Sequence, residues 1–530
     1  KILFDYVLKN GTIVDGSGAK PYRADLCIQN GLIQKITPDF HGEATHVLDV
    51  RGKIVSPGFI DIHTHSDTVP LLAGMNPESK LFQGVTLEIT GNCGISHIPI
   101  TKKYQEELTQ FYNATLPANV DYIYLNDTNV ADYAAHVAQH PPAIHYGVLI
   151  GHGTLRGAVM GFGMRAPSPE EQSQMEVLLD QQLEQGAFGM SLGLIYPPSS
   201  FSQKEELVRL AKVLAARDRI LAVHMRNESD RVFEAVDEIL DIAKQSGVHL
   251  EISHLKLMGK AQWGRVEELL GRLEKARQEG VRVTCDQYPF HASSTGLSAL
   301  VPGWAHDGGV IELTRRMANP TPKLLEEIQA EMERRGGPST ILVVGTHGHL
   351  PECDGKNIED IAASWKLDPA RAVARCLAAA SGAVSCIYFT MDLKDVYRIM
   401  QDMRVSVGSD GVSYEYASAA EHCFHPRNFN TFPRFIQTAR EMGILTPEQA
   451  VYKMTGLPAS VLGLKDRGLI RLGMAADLTV FDWEKVRDTS TYLVSAVKPL
   501  GIDYVFVEGE PALMQGVQTP IRNGRVLFRE

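Results

Sequence analysis

The chain has 530 residues and a formal net charge of −11, a balance that disfavours nucleic-acid binding because that function needs a basic face. Hydrophobic residues make up 44% of it and charged residues 22%, as is typical of globular proteins, and no apolar run approaches the roughly 18 residues that cross a bilayer. The length exceeds that of one simple domain, so we expect a large domain and a small one, with neither nucleic acid nor membrane as partner.

The cysteine content and the first residues of the sequence indicate where in the cell the protein is expected. The seven cysteines are few for this length, odd in number and form no CxxC pair, so we expect no disulfide framework. The opening segment KILFDYVLKNGTIVDG lacks the basic stretch, apolar core and cleavage site of a signal peptide. Both observations favour a cytoplasmic location, and the sequence leaves the oligomeric state open.

Short strand-like runs occur at both ends of the chain, separated by turn signals such as Asn30-Gly31 and Arg51-Gly52. Neither end alone has enough strands for a stable core. We therefore predict a small, discontinuous β-sandwich domain formed by residues 1–57 and 468–530.

The long middle segment alternates apolar, strand-like runs with amphipathic segments. This pattern predicts the α/β class and a parallel (β/α)8 TIM-like barrel over residues 58–467. The eight runs are KIVSPGFIDIHTH, VTLEITGNC, AIHYGVLIGHG, FGMSLGL, ILAVHM, VHLEISHL, VRVTCDQYPF and VSVGSDG. More than a hundred residues separate Pro289 from Val405, where one barrel repeat needs about 40. We therefore predict an insertion at about 290–345, and the identity of the seventh strand stays open.

The motif DIHTHSD at residues 61–67 indicates a metal site. His63 and His65 are two residues apart at the end of an apolar strand, so both side chains point to the same face, towards the barrel mouth. That arrangement suits two metal ligands, although strand-end histidines can also be purely structural.

Other strand-like runs also end in metal-binding residue types, namely Cys93, His224, His254 and Asp410. Active sites of parallel barrels form at this C-terminal face, so all six side chains should converge. A thiolate with imidazoles suits zinc. Zinc would activate a water, and Asp410 would take its proton and return it to the leaving amine.

Two of these residues have ordinary alternatives. Cys93 could be a buried, small apolar residue, as most free cysteines are, but Gly91 and Gly94 favour a tight turn that presents it. Asp410 could instead cap a helix after Ser409.

Longer motifs span nearly the whole chain, among them GTIVDGSG, PGFIDIHTHSD, GVTLEITGNCG, GHGTLRGAVMG, GMSLGLIYPPS, HMRNES, SHLK, GSDG, HPRNFNTFPRF and GLIRLGMAADLTVFD. They resemble those of the D-aminoacylase (N-acyl-D-amino-acid deacylase) family of the amidohydrolase superfamily. Many amidohydrolases bridge two metals with a carboxylated lysine, whereas this family uses a cysteine from the second strand, which matches Cys93. The resemblance implies hydrolysis of a small molecule, a linear N-acyl-D-amino acid, to a carboxylic acid and a free D-amino acid.

The resemblance also assigns roles to the metal-binding residues. It implies one tight zinc site held by Cys93, His224 and His254. It implies a weaker second site framed by His63, His65 and Asp410. Asp410 is then the acid and base of the reaction.

Four residues are placed around the substrate by the same resemblance: Lys256, Tyr288, Ser294 and Arg427. Arg427 would hold the substrate's α-carboxylate, unless it forms a salt bridge in a loop instead. Arg226, which follows the His224 strand, either points into the barrel as well or forms an ion pair with Glu228 or Glu251.

The preferred side chain is inferred from the predicted insertion. Family members that act on N-acyl-D-glutamate or N-acyl-D-aspartate need a second cation, and no Lys or Arg lies between Tyr288 and Arg315. The segment ASSTGLSALVPGW is largely apolar. A neutral or hydrophobic D-side chain is therefore expected over an acidic one, with the acidic deacylases as the alternative.

Other functions on the same barrel are less consistent with the residues. A hydrolase of cyclic amides needs a bridging lysine, and no strand-end lysine lies between GNCG and HMR. A deaminase needs an acidic motif after the sixth strand, which is absent. A scaffold protein without activity would have lost some of the metal-binding residues, and all six of them are present.

Overall fold

The computed structural model of the protein describes residues 2–72, 76–116 and 120–530. In chain order, the described strands are β1 (Leu3–Ile13), β2 (Tyr22–Gln29), β3 (Leu32–Thr37), β4 (Glu43–Asp49), β5 (Ile54–Pro57), β6 (Phe59–Asp61), β7 (Val85–Thr90), β8 (His145–Gly151), β9 (Gly189–Gly193), β10 (Ile220–His224), β11 (His249–Ile252), β12 (Val283–Gln287), β13 (Ala292–Gly296), β14 (Ile341–Gly345), β15 (Lys356–Asn357), β16 (Ser385–Phe389), β17 (Val405–Val407), β18 (Leu478–Phe481), β19 (Ile502–Val507), β20 (Glu510–Met514) and β21 (Val517–Gln518).

The described α-helices are α1 (Glu78–Leu81), α2 (Gln105–Asn113), α3 (Val130–Gln139), α4 (His152–Met160), α5 (Pro169–Glu184), α6 (Lys204–Ala216), α7 (Val232–Ser246), α8 (Val266–Gln278), α9 (Val310–Ala318), α10 (Pro322–Arg334), α11 (Ile358–Trp365), α12 (Pro369–Ala379), α13 (Leu393–Met400), α14 (Tyr416–Ala419), α15 (Arg427–Glu441), α16 (Pro447–Met454) and α17 (Gly456–Leu462). Within the described ranges, none of these helices combines the length and the apolar character that a membrane span requires.

Helix α5 shows how local sequence sets the barrel helices. The Ser168 side chain accepts a hydrogen bond from the Glu171 N–H, and the Glu171 side chain accepts one from the Ser168 N–H. This reciprocal capping gives hydrogen-bond partners to N–H groups of the first turn, which have no acceptor within the helix. Met175, Leu179 and Leu183 are spaced one turn apart and buried, so one face of α5 packs against the barrel.

Among the described strands, eight run parallel and lie side by side in the order β17, β12, β11, β10, β9, β8, β7 and β6. The two ends of this sheet meet, because Thr64 bridges Gly411 and the His65 N–H donates to the Gly411 oxygen at 2.8 Å. The sheet is therefore a nearly closed parallel barrel, which confirms the predicted fold class. Each of the eight apolar runs contributes one strand to the barrel, and the first run also contains β5, which belongs to another sheet. β12 takes the seventh position.

Both ends of the chain contribute to a second sheet, which comprises nine of the described strands. β18 pairs antiparallel with β5, so that Thr479 lies opposite Ser56, and β5 pairs in parallel with β1. Leu26 and Val480 belong to the buried core of this sheet. The domain limits of 1–57 and 468–530 remain a prediction.

The last residues of the chain return to the barrel, although the sequence pattern assigns IRNGRVLFRE to the β-sandwich. Val526 forms a parallel bridge with Tyr146 in β8, and the Leu527 N–H donates to the Tyr146 oxygen at 2.7 Å. Val526 and Leu527 are both buried. Burial of these apolar side chains accounts for the attachment.

Between β12 and β17 the chain forms a further sheet, with the described strands in the order β13, β16, β14 and β15. A hydrophobic core beside it includes Leu313 of α9, Ile328 of α10 and Leu377 of α12. The sheet extends from Ala292 to Phe389, beyond the expected end of the insertion at about residue 345. It does so because β16 pairs with both β13 and β14.

A buried ion cluster lies beneath the mouth of the barrel. The Lys80 ammonium is fully buried and lies 2.5 Å from Asp61 Oδ2 and 3.6 Å from Glu88 Oε1. It also donates a hydrogen bond to the Ser409 hydroxyl. The cluster therefore connects β6 and β7 to the segment that follows β17.

Replacing Lys80 with Met should lower the free energy of unfolding by about 3–5 kcal/mol, because buried carboxylates then lose their cation. Lys485 provides the control, since it is exposed and lies 3.8 Å from Asp482. Lys485→Met should change the stability by less than about 1 kcal/mol. Urea unfolding followed by circular dichroism measures both variants, and equally small changes would contradict the role given to the buried cluster.

Candidate metal centre

The predicted metal-binding side chains meet at the mouth of the barrel. Each ends or follows a barrel strand, and in chain order they are His63, His65, Cys93, His224, His254 and Asp410. Carboxyl ends of parallel strands share one face of a barrel, so residues far apart in sequence come together there. His65 is partly exposed, and the others are buried.

A tight turn after β7 presents Cys93. Gly91 has a φ of +76°, and a Cβ at this position would lie 2.0 Å from the Leu149 oxygen, so no other residue fits. Cys93 itself has a φ of +55°, and Asp410 one of +53°. Residues other than glycine adopt this conformation uncommonly, and strained backbone of this kind is found at active sites among other places.

The first group of donor atoms consists of Cys93, His224 and His254, whose donors all lie within 4.8 Å of one another. Cys93 Sγ lies 3.6 Å from His254 Nε2. Neither ring nitrogen of His224 has a hydrogen-bond partner among the described residues, although Nε2 lies 3.3 Å from Glu228 Oε1. A buried imidazole in this state has an unfilled coordination position.

The second group consists of His63, His65, Cys93 and Asp410, again within 4.8 Å. Cys93 Sγ lies 3.4 Å from His63 Nε2. Asp410 Oδ1 lies 3.1 Å from His63 Nε2 and 2.8 Å from His65 Nε2. Cys93 belongs to both groups, so its sulfur is placed to bridge them.

These separations fit zinc. Ligand atoms about 2.0–2.3 Å from a tetrahedral zinc ion lie roughly 3.3–3.8 Å apart. The contacts from Cys93 to His63 and His254 fall in that range. A sulfur with imidazoles and a carboxylate is also the donor set that zinc accepts.

The charges around the site favour anionic donors. Burial raises the pKa of the Cys93 thiol, but the charge of His63 and the neighbouring imidazoles of His224 and His254 bring this pKa well below its ordinary value. Burial likewise raises the pKa of Asp410, but Arg427 and His63 lower it well below its usual range. The surroundings therefore favour the thiolate form of Cys93 and the carboxylate form of Asp410.

Asp286 and Glu228 hold the rings in place. The sequence interpretation gave Asp286 no role and considered Glu228 only as an ion-pair partner of Arg226. Asp286 Oδ1 lies 3.1 Å from His63 Nδ1. Glu228 Oε2 lies 3.1 Å from His254 Nδ1. A carboxylate on one ring nitrogen leaves the other free for a metal. Two sequence features could have indicated these roles, namely the DQYP motif at 286–289 and the position of Glu228 within HMRNES.

The four residues predicted to contact the substrate lie beside the metal ligands. Lys256 Nζ lies 2.8 Å from both Glu228 Oε2 and His254 Nδ1. Arg427 is buried, with Nη1 3.1 Å from Asp410 Oδ2 and Nη2 donating to the Ser294 oxygen at 3.1 Å.

Tyr288 completes this group. Its ring lies 5.0 Å from the Arg427 guanidinium and 5.5 Å from the Lys256 ammonium. Its hydroxyl is buried and has no partner within the described part of the chain. Arg226 lines the same cavity, but within the described ranges it pairs neither with Glu228 nor with Glu251. It forms an ion pair with Glu238 at 3.0 Å, because α7 brings that carboxylate alongside.

A cavity of about 660 Å³ opens from these residues, within the range of small-molecule sites. Part of its wall comes from the segment between β12 and β17, including Leu300 and Val384. The sheet that follows β12 therefore covers the mouth of the barrel.

The model of the amidohydrolase family matches residues 46–325 and 399–513, which leaves out most of the segment between β12 and β17. The chain belongs to the amidohydrolase family. This confirms the resemblance inferred from the motifs.

Similar proteins are known within the family. An N-acyl-D-glutamate deacylase of Alcaligenes xylosoxydans xylosoxydans is 35% identical, over 99% of this chain and 97% of that protein. A D-aminoacylase of the same organism is 34% identical, over 99% and 98%. The crystal structure of N-acyl-D-glutamate deacylase from Bordetella bronchiseptica has a TM-score of 0.84 and 34% identity, and it covers 100% of both chains. That structure is complexed with zinc and a phosphonate inhibitor that mimics the tetrahedral intermediate.

Replacing Cys93 with Ala should remove the tightly bound metal, because the sulfur belongs to both donor groups. Metal analysis of the purified protein measures the loss. Cys423 provides a matched control, because its thiol contacts the Tyr492 oxygen and belongs to neither group. Cys423→Ala should keep the metal, and full metal content in Cys93→Ala would show that Cys93 only fills space.

Proposed function

We propose that this chain hydrolyses the amide bond of linear N-acyl-D-amino acids, giving a carboxylic acid and a free D-amino acid. The observation that carries the proposal is the joint position of Cys93, Asp410 and Arg427 at one cavity. Cys93 belongs to two donor groups, and Asp410 lies between those groups and the Arg427 cation. The names of the relatives, N-acyl-D-glutamate deacylase and D-aminoacylase, support the same class of substrate.

The donor atoms fit one tight zinc site and one weaker site. We assign the tight site to Cys93, His224 and His254. We assign the weaker site to His63, His65 and Asp410, with the Cys93 sulfur between the two. Zinc, when bound, would supply a water that ionises near neutral pH, and the metal itself would polarise the amide carbonyl.

Asp410 transfers the proton in this proposal. Its carboxylate is ionised and buried, so it can accept the proton that the attacking water loses. The same oxygen then delivers this proton to the amide nitrogen, which leaves as the free amine. The imidazoles of His63 and His65 hold Oδ1 at 3.1 and 2.8 Å and so fix its direction.

The cations and hydroxyl beside Asp410 orient the substrate. Arg427 is a planar donor that can bind a carboxylate through two hydrogen bonds. Tyr288, whose hydroxyl has no hydrogen-bond partner among the described residues, and Lys256 line the same cavity as Arg427. With the α-carboxylate held there, the amide bond of the substrate lies next to Asp410.

Replacing Asp410 with Asn should lower kcat by about 10²–10⁴-fold, the usual contribution of a positioned acid or base. The amide keeps the shape of the carboxylate but cannot accept the proton. The tight metal should stay bound, because its three proposed ligands are unchanged. Steady-state kinetics, with metal content measured on the same samples, tests this assignment, and normal turnover would contradict it.

A panel of N-acetyl-D- and N-acetyl-L-amino acids, assayed with added zinc, tests the substrate class. We expect release of free amino acid from the D-enantiomers and only background release from the L-enantiomers. Hydantoin and dihydrouracil belong in the panel as cyclic amides. Ring opening of these compounds without hydrolysis of the linear amides would overturn the proposed function in favour of a cyclic-amide hydrolase.

A further inference from the structure

Arg335 is a buried cation in the cavity wall, and the proposed reaction does not use it. It follows α10, is 3% exposed and lines the same cavity as Arg427. Its Nε donates to Glu331 Oε1 at 3.0 Å. Its two terminal amino groups, Nη1 and Nη2, have no hydrogen-bond partner in the described ranges 2–72, 76–116 and 120–530. An arginine cannot lose its charge to relieve this state.

Strand β13 connects Arg335 to the metal centre. The ring of Tyr388 lies 4.9 Å from the Arg335 guanidinium, and its hydroxyl donates to the Gly296 oxygen at 3.0 Å. One residue earlier, the hydroxyl of Thr295 lies 2.7 Å from that of Tyr196. The Tyr196 ring lies 5.0 Å from the His224 ring.

Arg427 meets the same strand, because it donates to the oxygen of Ser294. Both cations therefore contact or adjoin one five-residue strand that runs along the cavity. A ligand held by Arg427 would extend along β13 towards Arg335.

The charge near Arg335 is not balanced. Glu331 is shared, since its Oε2 also accepts two hydrogen bonds from Arg334, at 2.8 and 2.6 Å. One carboxylate thus serves two guanidinium groups. Glu327 accepts a hydrogen bond from Trp304 and lies 4.0 Å from Lys323, so it has its own cation.

The described wall at this end also includes the apolar residues Leu300, Leu313 and Val384. The charge of Arg335 is only partly compensated, because Arg335 shares the single charge of Glu331 with Arg334. A buried cation in such surroundings is costly, and an anion that enters the cavity would reduce that cost.

We propose that Arg335 binds the carboxylate of an acidic D-side chain, so that the substrates are N-acyl-D-amino acids of the glutamate type. This inference rests on the proposed function. It replaces the expectation of a neutral side chain, which considered only the segment between Tyr288 and Arg315. Folding brings α10, from outside that segment, into the cavity wall.

The experiment compares N-acetyl-D-glutamate with N-acetyl-D-glutamine, whose side chain has nearly the same shape but no charge. We expect the native enzyme to have a kcat/KM about tenfold or more higher for the glutamate derivative. Arg335→Gln should remove this preference by lowering kcat/KM for glutamate and leaving that for glutamine nearly unchanged. Arg335→Lys keeps the charge and should retain part of the preference.

Arg334→Gln is the matched control, since Arg334 contacts the same Glu331 but is half exposed. It should keep the preference for glutamate. The proposal is overturned if the native enzyme uses both substrates equally, or if Arg335→Gln and Arg335→Lys lower kcat/KM equally for both. If the native enzyme hydrolyses neither substrate but hydrolyses other N-acetyl-D-amino acids of the panel, only this inference fails. If it hydrolyses no member of the panel, the proposed function fails, and this inference fails with it.

Discussion

A buried sulfur at the mouth of the barrel, whose surroundings favour the thiolate form, determines how the rest of the site is built. A thiolate removed from water needs opposite charge or hydrogen bonds in direct contact. Cys93 finds imidazoles at 3.4 and 3.6 Å, and the remaining lone pairs are available to zinc. These partners come from strands far apart in sequence. The closure of the barrel is therefore what makes the ionised sulfur possible.

Each charge around this sulfur is held by a partner on another strand or loop. His63 is held by Asp286, and His254 lies against Glu228 and Lys256. Below them, Lys80 connects carboxylates of two neighbouring strands. Loss of one member leaves another charge buried without a partner. The mouth of the barrel thus combines two requirements, since the same contacts that keep it folded also orient the groups that bind metal and substrate.

The sequence predicted the barrel and the convergence of its metal-binding side chains because both depend on local information. An apolar strand that ends in His, Cys or Asp identifies the position of that residue in any parallel barrel. Contacts between side chains could not be predicted in the same way. Arg226 pairs with Glu238 because of how α7 packs. Arg335 reaches the cavity only because β13 to β16 and their helices form a sheet of their own over the barrel mouth.

The sheet made from both ends of the chain affects how the protein emerges from the ribosome. β1 to β5 are synthesised first, but β18, the neighbour of β5, comes near the end. Until then the edge of β5 carries unpaired backbone groups, and such edges favour association with other chains. Tyr146 in β8 likewise lacks its bridge partner until Val526 has been synthesised. The sheet and the barrel therefore stay incomplete until β18 and Val526 have been synthesised, and an interrupted chain exposes two strand edges to aggregation or proteolysis.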